Sequence, residues 1–431
     1  MTARSIEIGH TVSADESPAR PTTRAWLVFG VSFALLLSDY MSRQVLAAVF
    51  PLLKVQWSLS DSQLGTLGGV VALMVGLLTF PFSLLADRVG RARSVAAMAL
   101  TWSVATLACG LAASYGQLLL ARLALGVGEA AYGSVGLAVV FTYFPRTMRA
   151  TITSAFMAGG VFGSFIGLVL GGAVSAQMGW RGSFNVMGGI GLALVVGYVL
   201  IVRDRPRPAS QVKSASSPSV FSLPGVLRGL FGDPGVVLTY IASGLQLFVL
   251  GAITAWAPSY LNRQYALSPA AAASTAAVLL LSCGVGMVVW GGLSDRLSKA
   301  RPQRRPALAA ALGLSTFVLL EAALLLPHGA LQTLCAVIGL FCAGGTTGPA
   351  GAVVADRTPP LLHGAALAVL TLANNLIGLA PGPAVTGALA DRLGLQAALQ
   401  VAACFALFAA GVFWLSGRFR NSNPQTGPQR A

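Results

Sequence analysis

The sequence predicts an all-α membrane protein with twelve transmembrane helices arranged in two bundles of six. Three observations lead to this prediction: the chain is strongly apolar, its apolar runs are long enough to cross a bilayer, and its second half repeats features of its first. Of 431 residues, 55% are hydrophobic and only 10% are charged, with a mean hydropathy of +0.75. Soluble domains carry about 25% charged residues, so this composition excludes a cytosolic enzyme and a disordered chain.

The apolar runs predict helices rather than strands. A helix needs about 20 mostly apolar residues to cross the hydrocarbon core, and the runs reach that length without the two-residue alternation of a transmembrane strand. Glycines recur every fourth residue along the fifth run, a pattern typical of close helix contact. We number the predicted spans 1 to 12 in chain order; they cover 25–53, 61–86, 94–114, 117–144, 151–177, 182–203, 235–262, 269–294, 306–326, 331–355, 364–390 and 395–417.

The basic residues predict the orientation of the spans. Of 28 Lys and Arg residues, 22 fall in the tails and loops on the side of the amino terminus, 4 fall in the opposite loops, and Arg43 and Arg122 lie within spans. Cytoplasmic loops are enriched in Lys and Arg, so both termini are expected in the cytoplasm of a bacterial-type inner membrane. This distribution accounts for the net charge of +15 without a nucleic-acid partner.

Polar stretches divide the chain. The longest one between spans is the expected linker between the two halves. The predicted division is a cytoplasmic tail at 1–24, an N-terminal bundle at 25–203, a linker at 204–234, a C-terminal bundle at 235–417 and a cytoplasmic tail at 418–431. The first tail is polar and is not expected to be a signal peptide. The five cysteines lie in apolar runs without metal-site or disulfide spacing, so no metal or other cofactor is expected.

The two halves share sequence features at nearly constant offsets. Asp87 after span 2 matches Asp295 after span 8 at an offset of 208 residues. At an offset of 215, Gly133, Gly136, Pro145 and Gly172 match Gly348, Gly351, Pro360 and Gly387. Two such repeats are typical of transporters in which a site between the halves is exposed to each side in turn.

Few ionisable residues lie within spans, where they are costly and indicate function. Asp39 and Arg43 are four residues apart on span 1, and Arg122 and Glu129 are seven apart on span 4, so each pair shares a helix face. The matching positions of the second half are uncharged: Gln246, Leu250, Val337 and Gly344. The scaffold therefore does not require these charges, which leaves a functional role or ion pairs that lock span 1 to span 4.

The chemistry of these residues suits proton coupling. A buried carboxylate favours its protonated form, and a nearby guanidinium favours the ionised form. An anion that engages the arginine therefore changes proton affinity. Glu129 is the first candidate for the proton carrier and Asp39 the second, and Arg43 and Arg122 are candidate anion-binding groups. Glu321, near one end of span 9, is expected to snorkel toward lipid headgroups.

The segment after span 2 resembles a motif of the major facilitator superfamily. The run SLLADRVGR from Ser83 to Arg91 matches Gly-x-Leu-Ala-Asp-Arg-x-Gly-Arg with serine in place of the first glycine, which the second copy keeps as Gly291. The resemblance covers all twelve spans and implies the major facilitator fold. It implies a cytoplasmic latch between spans 2 and 11; the alternative is that the arginines only set topology. The latch residues would be Asp87, Arg88 and Arg91, with Asp295 and Arg296 as their counterparts.

Other runs resemble the bacterial spinster-like branch of that superfamily. RLALGVGEAA, which begins at Arg122, resembles both that branch and the neighbouring anion:cation symporters. WAPSYL, beginning at Trp256, and NNLIG, beginning at Asn374, resemble the spinster-like branch more closely. Span 1 departs from the usual Asn-Tyr-x-Asp-Arg and reads DYMSR, so its acid stands at Asp39 and the position before Arg43 is serine. The antiporter pattern Gly-Pro-x-x-Gly-Gly on span 5 reads GLVLGG from Gly167, with Leu168 in place of the proline. This departure does not support drug antiport.

The sequence therefore predicts a spinster-like, proton-coupled secondary transporter that works by alternating access on an organic or amphiphilic anion, including a lysolipid-type substrate. Alternatives are a small organic-acid:proton symporter, a drug or metabolite exporter, or a sensor that transports nothing. The chain carries no phosphate-binding loop or Ser/His/Asp set typical of an enzyme. Expected partners are the substrate, protons and the bilayer, and the chain is expected to be a monomer. Further candidate substrate-binding residues are Tyr132, Gln246, Trp256 and Asn374.

Overall fold

The computed structural model describes residues 21–202, 223–299 and 304–419, and these residues form helices and connecting turns without a strand. The helices of the N-terminal bundle are Thr23–Trp57 (span 1), Asp61–Val89 (span 2), Arg91–Leu111 (span 3), Tyr115–Glu129 with Tyr132–Val140 (span 4) and Arg149–Ile201 (spans 5 and 6). Those of the C-terminal bundle are Pro234–Tyr265 (span 7), Pro269–Ser298 (span 8), Arg304–Leu325 (span 9), Ala330–Gly344 with Thr347–Arg357 (span 10), His363–Ala373 with Pro381–Leu393 (span 11) and Leu395–Arg418 (span 12).

The helices confirm the predicted fold class. By length and hydropathy, 11 segments of the described chain can cross a membrane, and one of them, Thr151–Ile201, has 51 residues. A helix of that length would extend roughly 75 Å, far beyond a hydrocarbon core of about 30 Å. Gly179 breaks it with a φ of +70°, a backbone conformation that glycine adopts without strain. The segment therefore makes two crossings, which brings the total to twelve.

The predicted linker and tails lie partly or wholly outside the described residues, so the division into domains stays a prediction. The described part of the linker contains a short helix, Leu223–Phe231. Leu230 of this helix packs against Leu362 and Ala366 near the start of span 11. Asp233, at the end of the linker, caps span 7: its Oδ1 accepts a hydrogen bond from the Gly235 N–H at 2.7 Å.

Spans 4 and 10 each contain a short break in their helix. The helix of span 4 ends at Glu129 and resumes at Tyr132; the helix of span 10 ends at Gly344 and resumes at Thr347. The two breaks match at the repeat offset of 215 residues. At the first break the Thr79 hydroxyl of span 2 donates to the Ala130 carbonyl, which supplies a partner to a backbone group near the helix end. Interrupted helices are typical of transporter sites.

The glycine series on span 5 packs against span 1. A Cβ at Gly163 would lie 2.7 Å from the Leu37 carbonyl oxygen, and one at Gly167 would lie 2.7 Å from the Met41 Cα. These distances are shorter than carbon–carbon and carbon–oxygen contacts in packed interiors. The backbones of the two spans therefore touch directly, which fixes the position of the span 1 charges.

The two bundles meet most closely at one end. We call the end that carries Thr23 and Arg418 the terminal end and the opposite end, which carries Trp57 and Asp61, the distal end. Near the distal end, Gly65 and Gly69 of span 2 face backbone carbonyls of span 11 so closely that a Cβ would not fit. Gly172 of span 5 lies against Ala270 and Ala273 of span 8. The hydrogen bonds and ion pairs found between the bundles within the described residues also lie at this end.

Replacement of Gly167 by Ala tests the close contact of spans 1 and 5. The added methyl group has no room against Met41, and overpacking of this kind costs about 1–3 kcal/mol. We expect a lower thermal unfolding midpoint in lipid nanodiscs, measured by differential scanning fluorimetry. Gly189→Ala is the matched control, because a Cβ there has nothing within 4 Å. Equal midpoints for both variants would contradict the predicted contact.

Candidate functional site

A cavity lies between the two bundles near the middle of the spans. Its volume is about 450 Å³, within the range of small-molecule sites. Most of its walls are apolar, formed by side chains such as Phe50, Phe165, Leu247, Leu250 and Met287. The polar or charged residues of its lining are Tyr40, Arg43, Gln44, Arg122, Ser164 and Thr254. The cavity thus combines an apolar enclosure with a few polar groups concentrated on the side of the N-terminal bundle.

Arg43 joins two carboxylates at the wall of this cavity. Its Nε lies 2.6 Å from Glu129 Oε2 and 3.8 Å from Asp39 Oδ1. The Glu129 contact is an ion pair by distance, although its N–H direction falls outside hydrogen-bond geometry. The Arg43 side chain is 21% exposed, whereas the Glu129 side chain is fully buried and that of Asp39 nearly so. Both carboxyl groups thus approach the same guanidinium nitrogen. The structure therefore places a shared cation between the cavity and two enclosed acids.

Arg122 lines the same cavity but is held differently. Its Nε donates to the Leu67 carbonyl at 3.3 Å and its Nη1 donates to the Ser42 carbonyl at 3.2 Å. The residue is only 2% exposed. Arg122 thus bridges spans 1, 2 and 4 through backbone oxygens, and its positive charge adds to that of Arg43 at the cavity wall.

The structure does not bring the other four candidate binding residues into the described cavity lining. Tyr132 lies inside the N-terminal bundle, where its hydroxyl donates to the Ser32 carbonyl at 2.6 Å. Gln246 is buried beside Thr316 of span 9. Trp256 is fully buried, and its Nε1 donates to the Pro383 carbonyl at 3.0 Å. Asn374 begins the π-helical segment Asn374–Leu379 in the middle of span 11.

The predicted latch residues lie at the terminal end. Asp87 Oδ1 and Arg91 Nε are 2.9 Å apart, one helical turn along the chain. In the second half, Asp295 lies 3.6 Å from Arg305, which also pairs with Asp356 at the end of span 10. Arg88 and Arg296 are exposed at the same end. These pairs join spans within each bundle.

Sequence reasoning missed a second charged cluster, which joins the bundles at the distal end. Asp61, the first residue of span 2, pairs with Lys54 of its own bundle at 2.6 Å and with Arg263 of the other. Arg263 is bidentate, with Nη1 and Nη2 at 2.8 and 2.6 Å from the two Asp61 oxygens. Asp391 of span 11 accepts hydrogen bonds from the Asp61 and Ser62 N–H groups at 2.7 and 2.8 Å. We call Lys54, Asp61, Arg263 and Asp391 the distal cluster.

A signal for this cluster was present in the sequence. ADRLG at 390–394 repeats ADRVG at 86–90, the core of the motif after span 2. Both copies end in a glycine with positive φ, Gly90 at 113° and Gly394 at 82°. In the second copy the carboxylate binds the amino end of span 2, where unpaired N–H groups and the helix dipole favour an anion.

Two six-helix bundles around a central cavity, closed by ion pairs at one end, define a membrane transporter rather than an enzyme. Comparison with known proteins agrees. The model of the Major Facilitator Superfamily matches residues 32–381, and the chain belongs to this family. It is a multi-pass membrane protein that transports small substrates by alternating access.

Relatives of the chain support the spinster-like resemblance. The chain is 28% identical over 392 residues to protein spinster homolog 1 of Bos taurus, covering 85% of this chain and 73% of the relative. A probable L-galactonate transporter of Escherichia coli is 27% identical over 292 residues, covering 64% and 62%. A crystal structure of a bacterial homolog of human spinster, inward-facing and occupied, superposes with a TM-score of 0.82 at 21% identity, covering 92% of this chain and 98% of that one. The spinster-like prediction is confirmed.

The distal cluster predicts a shift in conformation when Asp61 is neutralised. Asp61→Asn removes the partner of Lys54 and Arg263, and loss of a charge from such a network costs about 1–3 kcal/mol. We expect a larger population with a separated distal end. This population is measured by electron paramagnetic resonance as the distance distribution between spin labels at Val55 and Leu393, which are both exposed. Arg392→Gln, next to the cluster, is the control. An unchanged distance distribution in Asp61→Asn would contradict the role of the cluster.

Proposed function

We propose that the protein couples the movement of an amphiphilic organic anion to that of a proton. The observation that carries this proposal is the ion pair of Arg43 with Glu129 beside Asp39 at the cavity wall. Arg43 is the member of the three that faces the cavity, so an entering anion meets the guanidinium before it meets the acids. The anion then competes with Glu129 for the same cation.

Charge balance makes this competition a coupling device. When an anion engages Arg43, Glu129 and Asp39 share less positive charge in an enclosed place, and a buried carboxylate without a counter-charge takes up a proton. Release of the anion restores the ion pair and expels the proton. Because both carboxyl groups approach the same guanidinium nitrogen, the proton belongs to the pair of acids rather than to one of them.

The shape of the cavity favours an amphiphilic substrate. A headgroup with a phosphate or carboxylate fits near Arg43 and Arg122, since guanidinium groups suit both anions. The apolar walls formed by Phe165, Leu247 and Met287 suit a hydrocarbon chain. The hydroxyl groups of a small sugar acid would find no polar partners on these walls. A small organic-acid symporter is the second candidate, and the two arginines in one wall favour it.

The charge distribution of the loops supports an orientation with the terminal end in the cytoplasm of a bacterial-type inner membrane. In that orientation the distal cluster closes the outer side, and the structure corresponds to an inward-facing state. Opening to the outside then requires Asp61 to part from Arg263 and Asp391. The latch at Asp87 and Arg91 would hold the terminal end in that second state, and the protein would act as a monomer.

Substrate-driven proton movement tests the proposal. Proteoliposomes with an internal pH dye are mixed with lysophosphatidylglycerol or with a panel of sugar acids. We expect proton entry with the lysolipid in the wild type and loss of this signal in Glu129→Gln by at least about fivefold, the lower range of coupling between sites. Exchange of labelled lysolipid across the membrane should persist in the variant.

Glu321→Gln is the matched control, since it removes another carboxylate within a span, on span 9, away from the described cavity lining. The proposal fails if lysolipid crosses the membrane without proton movement in the wild type. A response to sugar acids alone would favour the second candidate.

A further inference from the structure

A group of buried polar side chains lies inside the N-terminal bundle, outside the described cavity lining. Ser32, Ser38 and Trp102 are each 2% exposed or less. Their Oγ and Nε1 atoms have no hydrogen-bond partner among the residues that the structure describes. Buried polar groups are nearly always hydrogen-bonded, and ordered water supplies the partner where the protein does not. These side chains therefore define a part of the bundle interior that suits water.

The group begins at the acids. Ser38 directly precedes Asp39 on span 1. Its hydroxyl and that of Ser103 on span 3 both face Gly191 of span 6: a Cβ at Gly191 would lie 3.2 Å from Ser38 Oγ and still closer to Ser103 Oγ. The absence of a side chain at Gly191 thus lets the backbone of span 6 come close to two hydroxyl groups, one of which directly precedes Asp39.

The group continues toward the terminal end. Ser32 lies two helical turns before Asp39, roughly 10 Å along the axis of span 1. Tyr132, whose hydroxyl meets the Ser32 backbone, comes three residues after Glu129 on span 4. Its ring packs edge-on against Trp102 at 4.9 Å. Tyr198, buried on span 6, lies two turns beyond Gly191 in the same direction and belongs to the same packed interior as Tyr132.

The repeat again provides an internal comparison. The positions of the C-terminal bundle that match Ser38, Asp39 and Tyr198 are Leu245, Gln246 and Phe413. At the same offsets Thr239 and Thr347 keep a hydroxyl group where the first bundle has Ser32 and Tyr132. The two halves thus differ at the acid, at the hydroxyl group that precedes it and at Tyr198.

We propose that this polar interior conducts protons between the carboxyl pair and the terminal end, along a path separate from the substrate cavity. The inference rests on the proposed proton coupling and assigns Ser38, Ser103, Tyr132 and Ser32 to the path. In each step a hydroxyl group or water accepts a proton on its oxygen and releases its own to the next oxygen. The carboxyl pair gains one proton and the water at the terminal end loses one.

A separate path matters because a bound amphiphile fills the cavity. Asp39 and Glu129 are 3% exposed each, and the route past Arg43 is blocked when an anion sits there. The charged groups that face the acids are Arg43 and Arg122, with the Tyr40 ring beneath Arg43 at 5.4 Å. The path members themselves carry no charge, so they can pass a proton without holding it.

Time-resolved infrared spectroscopy of the purified protein in bilayers tests the path without a substrate. A flash releases protons from a caged compound, and the rise of the protonated carboxyl band reports arrival at the acids. We expect Tyr132→Phe and Ser38→Ala to slow this rise by at least about tenfold, since a positioned proton-transfer group contributes at least a hundredfold in many enzymes. The final height of the band should stay unchanged.

Tyr240→Phe is the matched control, because it removes a buried tyrosine hydroxyl from the C-terminal bundle. If neither Glu129→Gln nor Asp39→Asn removes the band, the proposed proton site itself is wrong. If the band depends on these acids but rises at the wild-type rate in both Tyr132→Phe and Ser38→Ala, the path is wrong and the proton site stands. Proton conduction along the path is also contradicted if the band rises equally slowly in Tyr240→Phe, or if the variants change the height of the band but not the rate of its rise.

Discussion

The structure depends on one arginine that two carboxylates share inside the membrane. Ionisable side chains are costly there, and burying a charge pair stabilises a fold less than apolar packing does. Arg43 therefore needs Glu129 and Asp39, and both acids need Arg43. None of the three can leave the others without a replacement charge. A substrate anion supplies one replacement and a proton supplies the other, which is why the same contact can serve both binding and coupling.

The repeat separates what the scaffold requires from what the function requires. Both bundles interrupt their fourth helix at matching positions, before Tyr132 and before Thr347, so the break belongs to the fold. Among the matched positions compared above, the charges within spans, at Asp39, Arg43, Arg122 and Glu129, have no charged counterpart in the second bundle. The second bundle supplies apolar cavity wall and, at the distal end, Arg263 and Asp391. The N-terminal bundle thus provides the charged groups for binding and coupling, and the C-terminal bundle provides the surface against which the N-terminal bundle moves.

Hydropathy and charge counts predicted the fold class because a bilayer restricts a chain to long helices whose backbone groups bond internally. They predicted the charged residues of the site but only part of their pairing. The pair of Arg43 with Asp39 that helix periodicity predicts is present. The structure also pairs Arg43 with Glu129 across two spans and gives Arg122 to backbone carbonyls rather than to Glu129. That exchange follows from how spans 1, 4 and 5 dock, which depends on glycine contacts and on the break after Glu129.

The distal cluster was not predicted from the sequence for a related reason. Asp61 stands within a strong helix-capping sequence, where Ser60 and Gln63 satisfy each other's backbone groups, and its neighbours along the chain do not predict a partner 202 residues away. Trp256 and Gln246 are polar residues in an apolar span, and the pattern fits a bridge between helices as well as a cavity wall.

The number of protons taken up when an anion binds tests the central claim most directly. Calorimetric titration of short-chain lysophosphatidylglycerol into the protein in nanodiscs, in buffers of different ionisation enthalpy, gives this number. The account predicts uptake of about one proton per bound anion near neutral pH, and binding without proton uptake would contradict it.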